Sequence, residues 1–167
     1  MTETILKMQK KVKRYLDKDR YDHTIGVMHT AGCLAMRYGA NLEQALTAGL
    51  LHDCAKCVPA DEKIKLCEKN HIEISDAEYK NPGLLHAKLG AFFAREKYGI
   101  ENEEILRSIE SHTTGRPNMS LLDKIIYIAD YIEPGRDVAP NLPEVRALAF
   151  VDIDACLYRI LEDTLAY

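Results

Sequence analysis

The stretch Ala45-Leu46-Thr47-Ala48-Gly49-Leu50-Leu51-His52-Asp53 decides how this chain is read. It is an apolar helical run that ends on two adjacent polar, metal-capable side chains. A carboxylate taken out of water without a partner is very costly, so Asp53 at a buried helix end must be paired or bound to a cation. Four further residues of the same chemistry stand at the edges of other apolar helical stretches: His23, His86, His112 and Asp130.

Outward from that stretch, apolar residues recur at three and four positions along almost the whole chain, and β-branched alternation is scarce. The pattern predicts an all-α protein with helices near 3–17, 22–38, 42–54, 60–70, 75–80, 84–98, 102–112, 119–132 and 142–166, the last broken near Val151-Asp152. Punctuation agrees. Gly39 and Gly99 end helices, Asn41 and Ser120 can cap them, and Pro59 sits early in one. Asn81-Pro82-Gly83 is a turn and Gly115-Arg116-Pro117-Asn118 a loop. The longest irregular stretch is 133–143. No repeat or linker interrupts residues 1–167, so a single domain is expected, with its core in 20–137.

Composition narrows the class. The chain has 167 residues, 47% apolar and 29% charged, with a formal net charge of -4. That balance suits a soluble globular protein and argues against broad nucleic-acid binding, while leaving room for a local basic pocket for phosphate. Five cysteines, Cys33, Cys54, Cys57, Cys67 and Cys156, form no even framework and fit a reducing cytoplasm. No apolar run approaches the roughly 20 residues needed to span a bilayer. The segment from Met1 to Asp17 is amphipathic and lysine-rich; Glu3 and Asp17 favour an ordinary surface helix over a transit peptide.

Taken singly, each histidine is more often a satisfied core or surface residue than a ligand, and His29 and His71 are assigned that way. Asp130 is harder to set aside, because it follows Ile125-Ile126-Tyr127-Ile128-Ala129. In a helical bundle, metal sites are built from inward-facing side chains on different helices. Four imidazoles and two carboxylates suit Fe, Mn, Co, Ni or Zn better than Mg. By type alone, Asp53 can bridge two metals with its two oxygens. A pair of metals suits phosphoanhydride hydrolysis, since it can clamp the attacking and the leaving oxygen. A polyphosphate would need cations to neutralise it. Taken without a family context, Lys56, Arg136, Arg20 and Arg116 each read as solvated surface charges; in the motif context given below, Lys56 and Arg136 are the first candidates, Thr113 a donor to phosphate, and Arg20 and Arg116 weaker ones. Cys54-x-x-Cys57 has neither a second pair at zinc spacing nor a βαβ setting, so Cys54 is expected to pack beside the centre. Tyr127 and Tyr131 could stack on a base, though such residues are more often core.

The ordered set His … His-Asp … His … His … Asp resembles the signature of the HD-domain metal-dependent phosphohydrolases. Within that superfamily, residues 20–27, 50–56, 85–91, 111–115 and 129–137 resemble the bacterial symmetrical bis(5′-nucleosyl)-tetraphosphatases, the stretch Ala129-Asp130-Tyr131-Ile132-Glu133-Pro134-Gly135-Arg136-Asp137 most specifically. The resemblance implies an HD helical bundle with two divalent transition metals, iron first. His23, His52, Asp53 and Asp130 would hold one, and His86 and His112, with the bridging Asp53, the other. It implies hydrolysis of diadenosine tetraphosphate into two ADP, with Asp53 and Lys56 catalytic. Substrate contacts would come from Arg20, His23, Asp53, Lys56, His86, His112, Thr113, Asp130 and Arg136. The expected partner is a small nucleotide, with ADP or GDP as product-like ligand. Nucleic acid and membrane are not expected, and a homodimer is left open. The alternatives are another HD-type hydrolase acting on a mononucleotide or alarmone, and a metal- and nucleotide-binding regulatory protein. Family members continue past the last helix with a tail that helps cradle the nucleotide, which the sequence ending Thr164-Leu165-Ala166-Tyr167 is expected to lack.

Overall fold

A computed structural model describes residues 2–166; Met1 and Tyr167, the ends of the expected domain, lie outside the described residues. Among the described residues ten α-helices follow one another: α1 Glu3–Val12, α2 Lys18–Tyr38, α3 Leu42–Leu51, α4 Ala60–Lys69, α5 Asp76–Lys80, α6 Leu85–Tyr98, α7 Glu103–Ser111, α8 Leu121–Ile132, α9 Leu142–Leu148 and α10 Ile153–Ala166. A 3-10 turn, Pro82–Leu84, leads into α6, and there is no strand among the described residues.

The bundle is organised around α2 and α3. Gly39 adopts φ +70°, a left-handed conformation that glycine reaches without steric cost, and ends α2. Two residues later the Asn41 side chain accepts the Gln44 N–H and starts α3. The hairpin is so close that a Cβ on Gly49 would lie 2.9 Å from Met28 Cα. The crossing sets the C-terminal end of α3, and with it His52, against the flank of α2. Leu50 and Leu51 of α3, Met28 and Leu34 of α2, Ile109 of α7 and Ile125, Ile126 and Ile128 of α8 are all fully buried. Truncating one such leucine to alanine costs about 2–5 kcal/mol.

A second, smaller apolar cluster, including Cys54, Ala55, Cys67, Leu85, Leu89 and Phe93, lies under α4 and α6. It supports the turns that follow α3, where the Cys54 and Lys56 N–H groups donate to Leu51 and Asp53 carbonyls at 3.1 and 2.9 Å. The nearly buried Lys63 donates to the Lys56 carbonyl at 3.1 Å and pins the same segment.

Three helix boundaries depart from the periodicity. The first helix stops at Val12 rather than residue 17, and the second begins at Lys18 rather than 22. Asp17 caps α2, its carboxylate accepting the Arg20 N–H at 2.8 Å, so the amphipathic run from Lys13 cannot continue. The third helix ends at Leu51, not residue 54. The break near residue 151 is real: Asp152 accepts the Asp154 and Ala155 N–H groups, both at 3.0 Å, and starts α10.

Candidate metal centre

Five helices deliver the six singled-out residues to one place. His23 comes from the second turn of α2, His52 caps α3 with Asp53 just beyond it, and His86 is second in α6. His112 caps α7, and Asp130 lies near the end of α8. His52, Asp53, His86 and His112 are at most 3% exposed. Asp53 stands between two groups. Its Oδ2 faces His52 Nε2 at 3.5 Å and His23 Nε2 at 4.0 Å. Asp130 Oδ1 closes that side, 3.1 Å from His23 Nε2 and 3.9 Å from His52 Nε2. Asp53 Oδ1 faces the other way, 3.2 Å from His86 Nε2 and 3.6 Å from His112 Nε2.

Each imidazole is oriented through its other nitrogen. Nδ1 of His52, His86 and His112 meets the carbonyl three residues earlier, at 2.8, 2.5 and 2.7 Å from Gly49, Gly83 and Ile109. A carbonyl only accepts, so Nδ1 carries the hydrogen and the neutral ring presents its Nε2 lone pair inward. His23 is the exception: its Nδ1 meets the Glu133 carboxylate at 3.1 Å. Lone pairs and carboxylate oxygens thus face one another, and His23 Nε2, His52 Nε2 and Asp53 Oδ1 are buried without a hydrogen-bond partner. Such an arrangement is repulsive until a cation stands among the donors. Donor atoms of His23, His52 and Asp130 lie within 4.8 Å of one another, as do those of His52, Asp53 and His112, so both clusters could hold a metal ion.

The HD domain family matches residues 20–135. The chain belongs to this family. A protein of Halalkalibacterium halodurans named bis(5′-nucleosyl)-tetraphosphatase, symmetrical, is 44% identical over 93% of this chain and 82% of its own length. The Bacillus subtilis protein of the same name is 41% identical over 93% and 83%. A crystal structure from Clostridium acetobutylicum, described as a predicted HD superfamily hydrolase involved in NAD metabolism, superposes with a TM-score of 0.92 at 44% identity, covering 96% of this chain and 84% of that one. Within the HD-domain family the chain therefore belongs with the symmetrical bis(5′-nucleosyl)-tetraphosphatases.

Protons report the electrostatics of the HD centre. Burial pushes His52 down to about 4 and lowers His86. Burial also opposes a charge on His23 and His112, but Asp130 beside the first and Asp53 beside the second raise both above the ordinary histidine value. Burial disfavours ionised Asp53 and Asp130, yet the surrounding imidazoles, His52 foremost at Asp53 and His23 at Asp130, hold both well below the usual carboxylate range. The site is built to be occupied by positive charge.

Cationic side chains ring the HD centre unevenly. Lys56 Nζ lies 3.3 Å from His86 Nε2 and 4.0 Å from Asp53 Oδ1. Thr113 Oγ1 lies 3.2 and 3.1 Å from the His86 and His112 Nε2 atoms. Arg136 clamps Asp130, donating to its carboxylate at 2.8 Å and to its carbonyl. Arg20, ranked low from sequence, donates to Asp53 Oδ2 at 2.9 Å and is closer to the centre than that ranking implied. Arg116 points elsewhere: its partner is the fully buried Asp123, at 2.5 Å.

Tyr127 is buried in the core and unavailable for stacking, whereas Tyr131 lines a cavity of about 340 Å³ with Arg136. Cys54 packs as expected, its thiol donating to the Gly90 carbonyl at 3.5 Å and pushed by burial up to about 12. His29 and His71 are exposed.

Sequence reasoning missed the role of Glu133. It is 3% exposed, its Oε1 faces His23 Nδ1, and its Oε2 accepts the Gly135 N–H at 2.7 Å. A Cβ on Gly26 would fall 2.4 Å from Glu133 Oε2, so the absence of a side chain at Gly26 is what admits the carboxylate. The signal was available in the glycine three residues after His23 and in the acid three residues after Asp130.

Proposed function

We propose that this chain is a metal-dependent hydrolase that splits diadenosine tetraphosphate at its central anhydride into two ADP. The observation that carries the reading is the divided Asp53 carboxylate, one oxygen turned to each group of histidines. His23, His52, Asp53 and Asp130 would hold one divalent transition metal. His86 and His112, with the other oxygen of Asp53, would hold a second. The nitrogen and oxygen donors favour iron, with manganese, cobalt, nickel or zinc as substitutes. When bound, the metals supply Lewis acidity toward phosphoryl oxygens and favour the deprotonated form of water.

The chain's own residues do the positioning. Asp53 is the shared catalytic carboxylate, held at its Oδ2 by Arg20. Lys56 brings positive charge to the phosphoryl oxygens as the bond breaks, and Thr113 donates a hydrogen bond to one of them. Arg136, already braced on Asp130, reaches phosphate on the opposite side. A water oxygen bonds to one of the two central phosphorus atoms and the bridging P–O bond breaks. One ADP leaves and the other keeps the new hydroxyl. In such a reaction catalysis is mostly alignment and charge stabilisation. Residues 2–166 act as one HD domain. Among the described residues no helix is long and apolar enough to cross a membrane. The five free thiols suit a reducing compartment, and on that ground we place the enzyme in the cytoplasm.

The test is product analysis. Purified protein with a divalent metal is incubated with diadenosine tetraphosphate and the nucleotides are separated by ion exchange. ADP as the sole product is expected. AMP with ATP would overturn symmetrical cleavage, and no turnover with any metal would overturn the enzyme reading.

A further inference from the structure

Residues around the HD centre line two cavities, and a dinucleotide has two halves to place. The cavity beside Arg136 and Tyr131 adjoins the Asp130 side. On the other side, between the start of α6 and the loop that follows α7, a groove of about 400 Å³ is lined in part by Thr113, Arg107 and Arg116. Thr113 is the common wall: its hydroxyl touches His86 and His112 Nε2 while the same residue lines the groove. The groove falls in the size range of small-molecule sites.

We infer that this groove receives the second nucleoside diphosphate half of the substrate, with Arg107 as its phosphate-binding cation. The inference rests on the dinucleotide reading above. A substrate cut at its midpoint extends to both sides of the reacting phosphorus atoms, so it needs a receptive surface at each end of the centre. The charges of the groove are unequally committed. Lys88 is bound to Glu78 at 2.9 Å and Arg116 to Asp123 at 2.5 Å. Arg107 pairs with no carboxylate among the described residues, and the only uncommitted counter-charge in the groove is Glu110, one turn further along α7. The Arg116–Asp123 pair holds the loop that forms the far wall, so the groove is a supported surface. Leu84 and Ala87 supply the apolar floor that a base requires.

The experiment compares two substrates that share four phosphates. Diadenosine tetraphosphate has a nucleoside at each end, while adenosine 5′-tetraphosphate has one, which the cavity beside Arg136 can take. The readout is the ratio of kcat/KM for the first to that for the second. It is measured in the unaltered protein, in Arg107→Glu, which reverses the charge, and in Ala77→Trp, which fills the groove from the exposed face of α5. In Ala77→Trp, which removes the space for a base, we expect the ratio to fall about tenfold; in Arg107→Glu, whose phosphate contact both substrates share, we expect kcat/KM to fall about tenfold for both through KM, with melting temperature and metal content unchanged. A general loss of stability lowers both activities and the melting temperature together and leaves the ratio where it was. A ratio unmoved in Ala77→Trp, or a KM unmoved in Arg107→Glu, overturns the inference. Absence of dinucleotide turnover by the unaltered protein would instead defeat the reading on which it rests.

Discussion

The two sides of Asp53 contain the same number of imidazoles and solve opposite problems. On the Asp130 side, two carboxylates face His23 and His52, and both inward nitrogens are buried without a hydrogen-bond partner. On the Thr113 side, the His86 and His112 nitrogens are 3.1 Å apart and already contact a hydroxyl and an ammonium group. The first side has its carboxylates paired, Asp53 Oδ2 with Arg20 and Asp130 with Arg136, but nothing donates to its two inward nitrogens, and a cation among them relieves that. The second already sets an ammonium and a hydroxyl against its nitrogens, which equips it to receive phosphate oxygens as well as a metal. The same side chain, histidine, is thus given different work by what stands opposite it.

That contrast can be broken experimentally, and the largest effect is expected where the sides join. Asp53→Ala removes a donor from both, so activity should fall by roughly a thousandfold or more and metal content should drop on both sides. Kinetics and elemental analysis of the same sample check this; a variant that keeps its metal would show that Asp53 is not shared. Next come two variants that should separate the sides. Asp130→Ala should empty the Asp130 side of metal. Lys56→Met should retain the metal content of the unaltered protein and lose about a hundredfold in kcat. Equal metal loss in both would mean that the asymmetry has no functional content.

A smaller effect is expected one step back from the donors. Glu133→Gln keeps the shape but removes the charge behind His23, and should weaken metal binding about 10–100-fold, measured by competition with a chromophoric chelator. No equivalent variant exists for His52, His86 or His112, whose rings lean on backbone carbonyls. The smallest difference concerns protons. His23 and His112 have pKa values raised above the ordinary histidine value, one on each side, so on acidification they take protons first and metal is lost as the pH falls through those raised values. His52, at about 4, does not compete until far lower pH. Equilibrium dialysis at stepped pH should show both sides emptying over the same range; well-separated ranges would mean that the carboxylate count governs proton competition.

The contrast also explains what could be read from sequence. His52-Asp53 and Asp130 were legible because a carboxylate at the end of an apolar helical run has no inexpensive explanation. The order of the other histidines did the rest. The ranking of arginines was not legible. Arg20 and Arg116 both stand three or four residues from a histidine, yet one bonds to Asp53 and the other to Asp123. What separates them is the direction of the chain: Arg20 is one turn before His23 on α2, whereas Arg116 follows the left-handed turn at Gly115, φ +68°. Glu133 escaped because its meaning depends on a missing atom at Gly26, and helical periodicity carries no information about close approach between helices. The helix ends at Val12 and Leu51 were missed because hydrophobic period continues through Lys13–Leu16 and Cys54, while Asp17 and the turns after Leu51 set the boundaries.

On the proposed two-metal reading, a single carboxylate serving both sites links their equilibria. Whatever binds on one side draws electron density and fixes the geometry of Asp53, and so changes the affinity of the other side by some factor. Linkage requires the reverse factor to be identical. With Asp53 only 2% exposed, solvent can do little to dampen that exchange. The two sides of this centre are therefore expected to fill as a coupled pair, with the occupancy of each set in part by the other.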